Sequence, residues 1–295
     1  MFAIVLAAVS GLVWGAGDFS GGKATQRLPA LASVALSKLA ALPVLAVYLV
    51  LVPGTPTLAS LGWGALGGLF GGAALVLFYR ALSGGAMAIV APVSAVTAAL
   101  VPLVIGLIIE AVPGPLALIG AGCAIVAIGL VSLAPHGEGP ESDKKESDTK
   151  KPVVATRKLV VFALLAGTGF GLFFVFLNRA GDAAGDHGGL WPVLGAQLGA
   201  LVLCGSLVVR LRGSFSRPRG STIVWVIIAG VFDMTANALY LVAVRDGLLS
   251  IVAPISSLYP VSTVILAMLI DRERMRPVQI AGLGLAATAL VLVAS

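Results

Sequence analysis

The hexapeptide Ile89-Val90-Ala91-Pro92-Val93-Ser94 returns 162 residues later as Ile251-Val252-Ala253-Pro254-Ile255-Ser256. The likeness continues at the same offset. Gly68, Phe70, Ala74, Leu77, Ala81 and Gly85 meet Gly230, Phe232, Ala236, Leu239, Ala243 and Gly247. Pro115, Gly120, Gly122 and Ala124 meet Pro277, Gly282, Gly284 and Ala286. Nearer the start, Gly11, Trp14, Gly15, Lys23 and Ala24 meet Gly167, Phe170, Gly171, Arg179 and Ala180 at an offset of 156. A duplication of this length predicts two copies of one unit that bury a face against each other.

The solvent decides what that unit is. Of 295 residues, 59% are hydrophobic and 11% charged, against about a quarter charged in a soluble domain. A helix crosses the hydrocarbon with about 20 apolar residues. Ten such segments fall at 3–22, 30–52, 61–82, 87–109, 115–134, 158–178, 189–210, 222–244, 249–270 and 276–294. Breaks such as Pro53-Gly54-Thr55-Pro56 and Pro113-Gly114-Pro115 carry turn chemistry. The predicted fold is an all-α integral membrane protein of ten spans. Residues 1–135 form the first five-helix repeat and 158–295 the second. Residues 136–157, rich in Glu, Asp and Lys, form a solvated linker.

Five spans per half force the second copy to enter the membrane from the opposite side, so the repeats are inverted. Lys23, Arg27, Arg80, the linker cations, Arg210, Arg212, Arg217, Arg219, Arg272, Arg274 and Arg276 follow odd-numbered spans, whereas Arg179 and Arg245 lie opposite. The positive-inside rule then places the linker and the odd-numbered loops in the cytoplasm and both termini outside. The expected location is a prokaryotic plasma membrane. The apolar N-terminal stretch lacks a basic leader and is read as the first span.

Ten spans, a five-plus-five duplication, Trp14-Gly15 in the first helix and a proline in the fourth helix of each half together resemble the EamA-domain permeases of the drug/metabolite transporter superfamily. The resemblance implies a basket-like bundle around a central cavity and export of small metabolites, often amino acids or organic cations. One departure stands out: relatives are commonly drawn with cytoplasmic termini, and the charges here argue the reverse.

Ionisable groups deep in a span are costly and mark candidate sites. Asp18 and Lys38 lie at equal depth on either side of the first turn and are placed to pair across that hairpin. Asp233, Asn237 and Tyr240 recur at i, i+4 and i+7, one helical face carrying a carboxylate, an amide and a phenol. Asp18 and Asp233 are also the candidate proton sites. Ser10, Trp14 and Asp18 share a face of the first helix, where Trp14 is able to stack on an aromatic or cationic cargo. Gln197 occupies the repeat position of Lys38. Ser94, Thr97, Ser256 and Tyr259 add polar groups to the fourth and ninth helices, and Pro92 and Pro254 are expected bends and gate elements. Each of these has a structural alternative in helix-helix hydrogen bonding, packing or a plain helix start.

The chain lacks enzyme signatures, a P-loop and metal-ligand spacing, so neither catalysis nor a cofactor is expected. The net charge of +6 sits in short loops and does not form a nucleic-acid face. The expected partners are a small-molecule substrate, membrane lipid and possible coupling protons. Two functions remain open: metabolite or amino-acid export by alternating access, and multidrug efflux of lipophilic cations.

Overall fold

The computed structural model describes the whole chain apart from residues 84–86, 133–152, 186, 211–218, 273–275 and 295. The described residues form helices and connecting turns, with no strand among them. In chain order the helices are α1 (Phe2–Thr25), α2 (Ala30–Ala40), α3 (Leu42–Leu51), α4 (Leu58–Ser83), α5 (Met87–Ile109), α6 (Pro115–Ser132), α7 (Val153–Ala184), α8 (Trp191–Arg210), α9 (Ser221–Arg245), α10 (Leu249–Ser256), α11 (Tyr259–Ile270) and α12 (Pro277–Ala294). Among the described residues, nine stretches are long and apolar enough to cross a membrane, and Val93–Ile109 within α5 is a shorter apolar helix. Most of the expected linker lies outside the described residues. Its last part, 153–157, already belongs to α7.

Two expected spans are each built from two helices. The second breaks at Ala41 between α2 and α3. Pro43 follows the break and has no N–H for the carbonyl of Leu39. The ninth breaks at Ser257 and Leu258 between α10 and α11, two residues before Pro260. Pro254, the expected bend, sits inside α10, all of whose residues are buried. The interruption belongs to Pro260, which denies an N–H to Ser256 O.

α1 packs along α9 and against α10 and α11, while α7 packs along α4 and against α5; α6 packs on α12. Glycines make these approaches close. A Cβ on Gly11 would sit 2.7 Å from Ser256 O, and one on Gly167 would sit 2.5 Å from Ser94 O. Gly68 abuts Ala196 O as Gly230 abuts Ser37 O, and Gly120 meets Val293 as Gly282 meets Val131. Small residues let membrane helices reach van der Waals contact. Tyr240, Leu177, Met234, Leu241 and Leu249 lie at the centre of the packed core.

Candidate functional site

A cavity of about 980 Å³ lies between α1, α2, α4, α7, α8, α9 and α11. At one end its wall runs out to the exposed Gln26, Pro29 and Asp271, beside the α1–α2 turn and the end of α11. Lys23 and Asp271 form an ion pair at this mouth, and the Lys23 ammonium lies 5.4 Å from the Phe19 ring centroid. Elsewhere in the bundle the turn before α4 meets the turn between α7 and α8. Trp191 Nε1 donates to Gly54 O at 2.8 Å, Thr55 N to His187 O at 2.8 Å, and Thr57 Oγ1 to Ala183 O at 3.1 Å. A Cβ on Gly54 would lie 2.4 Å from Gly189 N, and Gly189 itself holds φ at +49°. Glycine suits both places, since one has no room for a side chain and the other is left-handed.

Lys38 occupies the last turn of α2, just before the break, and its Nζ meets Asp233 Oδ2 at 2.7 Å. The hairpin pairing of Lys38 with Asp18 expected from spacing is therefore replaced by a pairing with α9. The reason is tertiary. A methyl on Gly17 would lie 3.5 Å from Asp233 N, so α1 and α9 bring Asp18 and Asp233 to one level beside the same lysine. Asp18 is exposed to the cavity and makes no hydrogen bond or salt bridge among the described residues. Gln197 Nε2 donates to Lys38 O, so the repeat-matched long polar residues touch.

Trp14, Asp18, Lys38, Gln197, Asp233, Asn237 and Tyr259 line the cavity. Ser94, Thr97, Tyr240 and Ser256 do not. Tyr240 is fully buried, donates to Phe174 O at 3.2 Å and packs on Trp14 with ring centroids 5.7 Å apart. Ser256 donates to Ala7 O, accepts from Ser10 Oγ and fastens α10 to α1. Thr97 returns to Val93 O in its own helix, and both Ser94 and Thr97 lie against Gly167. Pro92 lies within α5. The sequence reading passed over Phe173 and Phe174, which flank Trp14 in the wall, and Thr263, which donates to Gly15 O at 3.0 Å. The run Phe173-Phe174 in an otherwise aliphatic span was the available signal. Among the described residues there is no cluster fit to hold a metal ion.

Residues 157–295 match the EamA-like transporter family, so a domain of that family is present in this part of the chain. No curated protein matches the chain. A solved structure titled only "Crystal structure of protein" superposes with a TM-score of 0.75, at 15% identity, over 98% of this chain and 95% of that one. At that identity the likeness is one of fold. The apolar helices and the EamA-like domain together fit a multi-pass membrane protein, and the family that the domain matches is one of transporters.

Proposed function

We propose that the chain is a secondary-active or facilitative exporter of small metabolites, amino acids first among them, working by alternating access of two inverted five-helix repeats. The cavity carries this reading: one end reaches exposed residues and Asp18, Lys38 and Asp233 line it, and on this reading the Gly54–Trp191 contact is the far gate. The paired glycine contacts support the twofold relation, because exchange of the halves turns each into its partner. On this reading residues 1–135 and 158–295 are the repeats and all ten spans cross. The mouth then opens to the cytoplasm of a prokaryotic cell, both termini face outward, and cargo loads from within. Seven cavity-lining residues form the cargo site: Trp14, Asp18, Lys38, Gln197, Asp233, Asn237 and Tyr259.

Purified protein in liposomes moves labelled amino acids in this reading, and an imposed pH gradient accelerates it where a proton is coupled. Asp18→Asn and Asp233→Asn then separate the coupling carboxylate, since loss of the gradient response identifies it. Absence of movement for every metabolite tried overturns the function. Efflux of lipophilic cations is the second reading. Asp18, one turn from Trp14 in a wall that also carries Phe173 and Phe174, favours it, and dye efflux in place of amino-acid movement decides for it.

A further inference from the structure

The sequence repeat maps the rim of the mouth onto a second place in the molecule. Lys23, Gln26 and Pro29 correspond to Arg179, Asp182 and Gly185 at an offset of 156, and Ala267 and Asp271 to Ile105 and Ile109 at an offset of 162. Exchange of the halves therefore opens the protein between the end of α7 and the end of α5. Glu110 stands at that second rim, one residue beyond the counterpart of Asp271.

Here the second rim is held. Glu110 Oε1 accepts from Leu249 N at 3.1 Å and Oε2 from Ser250 N at 3.3 Å, so each oxygen meets one of the first two residues of α10. A Cβ on Gly106 would lie 2.6 Å from Ser250 N, so α5 and the start of α10 are in close contact. A carboxylate bonded to N–H groups at a helix start is held by its charge and by the helix dipole together. α10 in turn is buried along its whole length and tied to α1 through Ser256 and Ser10. The counterpart of Glu110 is Arg272, whose side chain has no acceptor to offer a helix start. The latch therefore belongs to one rim alone.

Arg179 is the counterpart of Lys23, the cation that pairs with Asp271 at the open mouth. In this structure Arg179 reaches Asp182 of its own helix at 3.8 Å, with 46% of its side chain exposed. The repeat selects it over Arg245, which also lies near the end of α7 but corresponds to Ser83. We propose that Glu110 is a gate residue with two partners: it caps α10 while the mouth is open, and it pairs with Arg179 once the halves have exchanged, as Asp271 pairs with Lys23 here. Two charge-assisted bonds to a buried helix outweigh one ion pair at an exposed rim. Glu110 thus biases the resting protein toward the open mouth. The inference rests on the proposed alternation of the two halves.

Alkylation by an impermeant thiol reagent tests it on the full chain in lipid nanodiscs, where both faces are reached. With Cys123 and Cys204 replaced, Ile105→Cys reports the second rim and Ala267→Cys the mouth. Glu110→Gln speeds labelling at 105 roughly ten-fold and slows it at 267, because the closed second rim loses more than the open one. Arg179→Gln slows labelling at 105 by roughly two- to five-fold and has no effect once Glu110 is Gln. A Glu110 that serves only as a cap predicts no response to Arg179. Should Glu110→Gln fail to accumulate, Arg179→Gln and Arg179→Lys decide between them, the first slowing the reaction and the second restoring it. Labelling at 105 that is indifferent to Glu110→Gln or to Arg179→Gln overturns the partner exchange and leaves the alternation standing. A cysteine at 105 that reacts in none of these proteins overturns the alternation, and the exchange with it.

Discussion

Lys38 stands between two carboxylates and bonds to one. Its side chain is 15% exposed and that of Asp233 is 30%, so the pair is shielded without being dry. Removing one partner strands a charge beside the cavity, whereas removing both does not. Lys38→Met or Asp233→Asn therefore lowers stability by about 1–3 kcal/mol, and the double variant recovers part of that loss. Thermal melts of the four proteins in one detergent read the coupling, and strict additivity refutes it. These residues were legible in the sequence as ionisable groups in apolar spans. Their partners were not. Spacing along one hairpin places Asp18 near Lys38 and carries no information on α9, which competes from 195 residues away. Asn237 and Tyr240 show the same limit. One stripe of a helix put both on a candidate wall, and packing against Trp14 and Phe174 then buried Tyr240 completely.

At the scale of elements, the interruptions in the second and ninth spans flank the charged cluster. Ala41 lies three residues beyond Lys38, and Tyr259, just past the other break, sits against Gly15. The helix positions followed from hydropathy because lipid imposes length and apolarity on every span. The breaks were harder to read. Pro254 repeats Pro92 and so drew notice, but it lies inside α10 without ending that helix. Pro260, further in, breaks the chain. Glu110, at the end of α5, accepts from Leu249 N at 3.1 Å and Ser250 N at 3.3 Å and caps the start of α10. That role depends on a tertiary approach no local pattern records. Glycine contacts give a sharp test. A Cβ on Gly68 falls 1.8 Å from Ala196 O, which is backbone and cannot yield. Gly68→Val costs about 3 kcal/mol or more and separates α4 from α8. Gly62, on the same helix with open space around it, accepts alanine with no loss. Equal melting points for the two variants would contradict this packing.

On the proposed reading the whole molecule is two-ended: a mouth at Gln26, Pro29 and Asp271, and a gate where Gly54 and Thr55 bond to Trp191 and His187. In the proposed orientation, which rests on the basic residues after odd-numbered spans, the mouth faces the cytoplasm. With Cys123 and Cys204 replaced, Gln26→Cys reacts with an impermeant thiol reagent in inverted vesicles and is protected in intact cells. Labelling of intact cells reverses the orientation and with it the loading side. The contact of Gln197 with Lys38 O carries a consequence for ancestry. Were the halves identical chains, whatever stood there would face its own copy, and two lysines would bring like charges together. Asp233 would be doubled as well, where the other half has Gly71. A single cation steadied by a neighbouring amide needs the two places to differ. On the twofold reading, the polar centre of this protein is an acquisition of the fused gene, and no pair of identical five-helix subunits can build it.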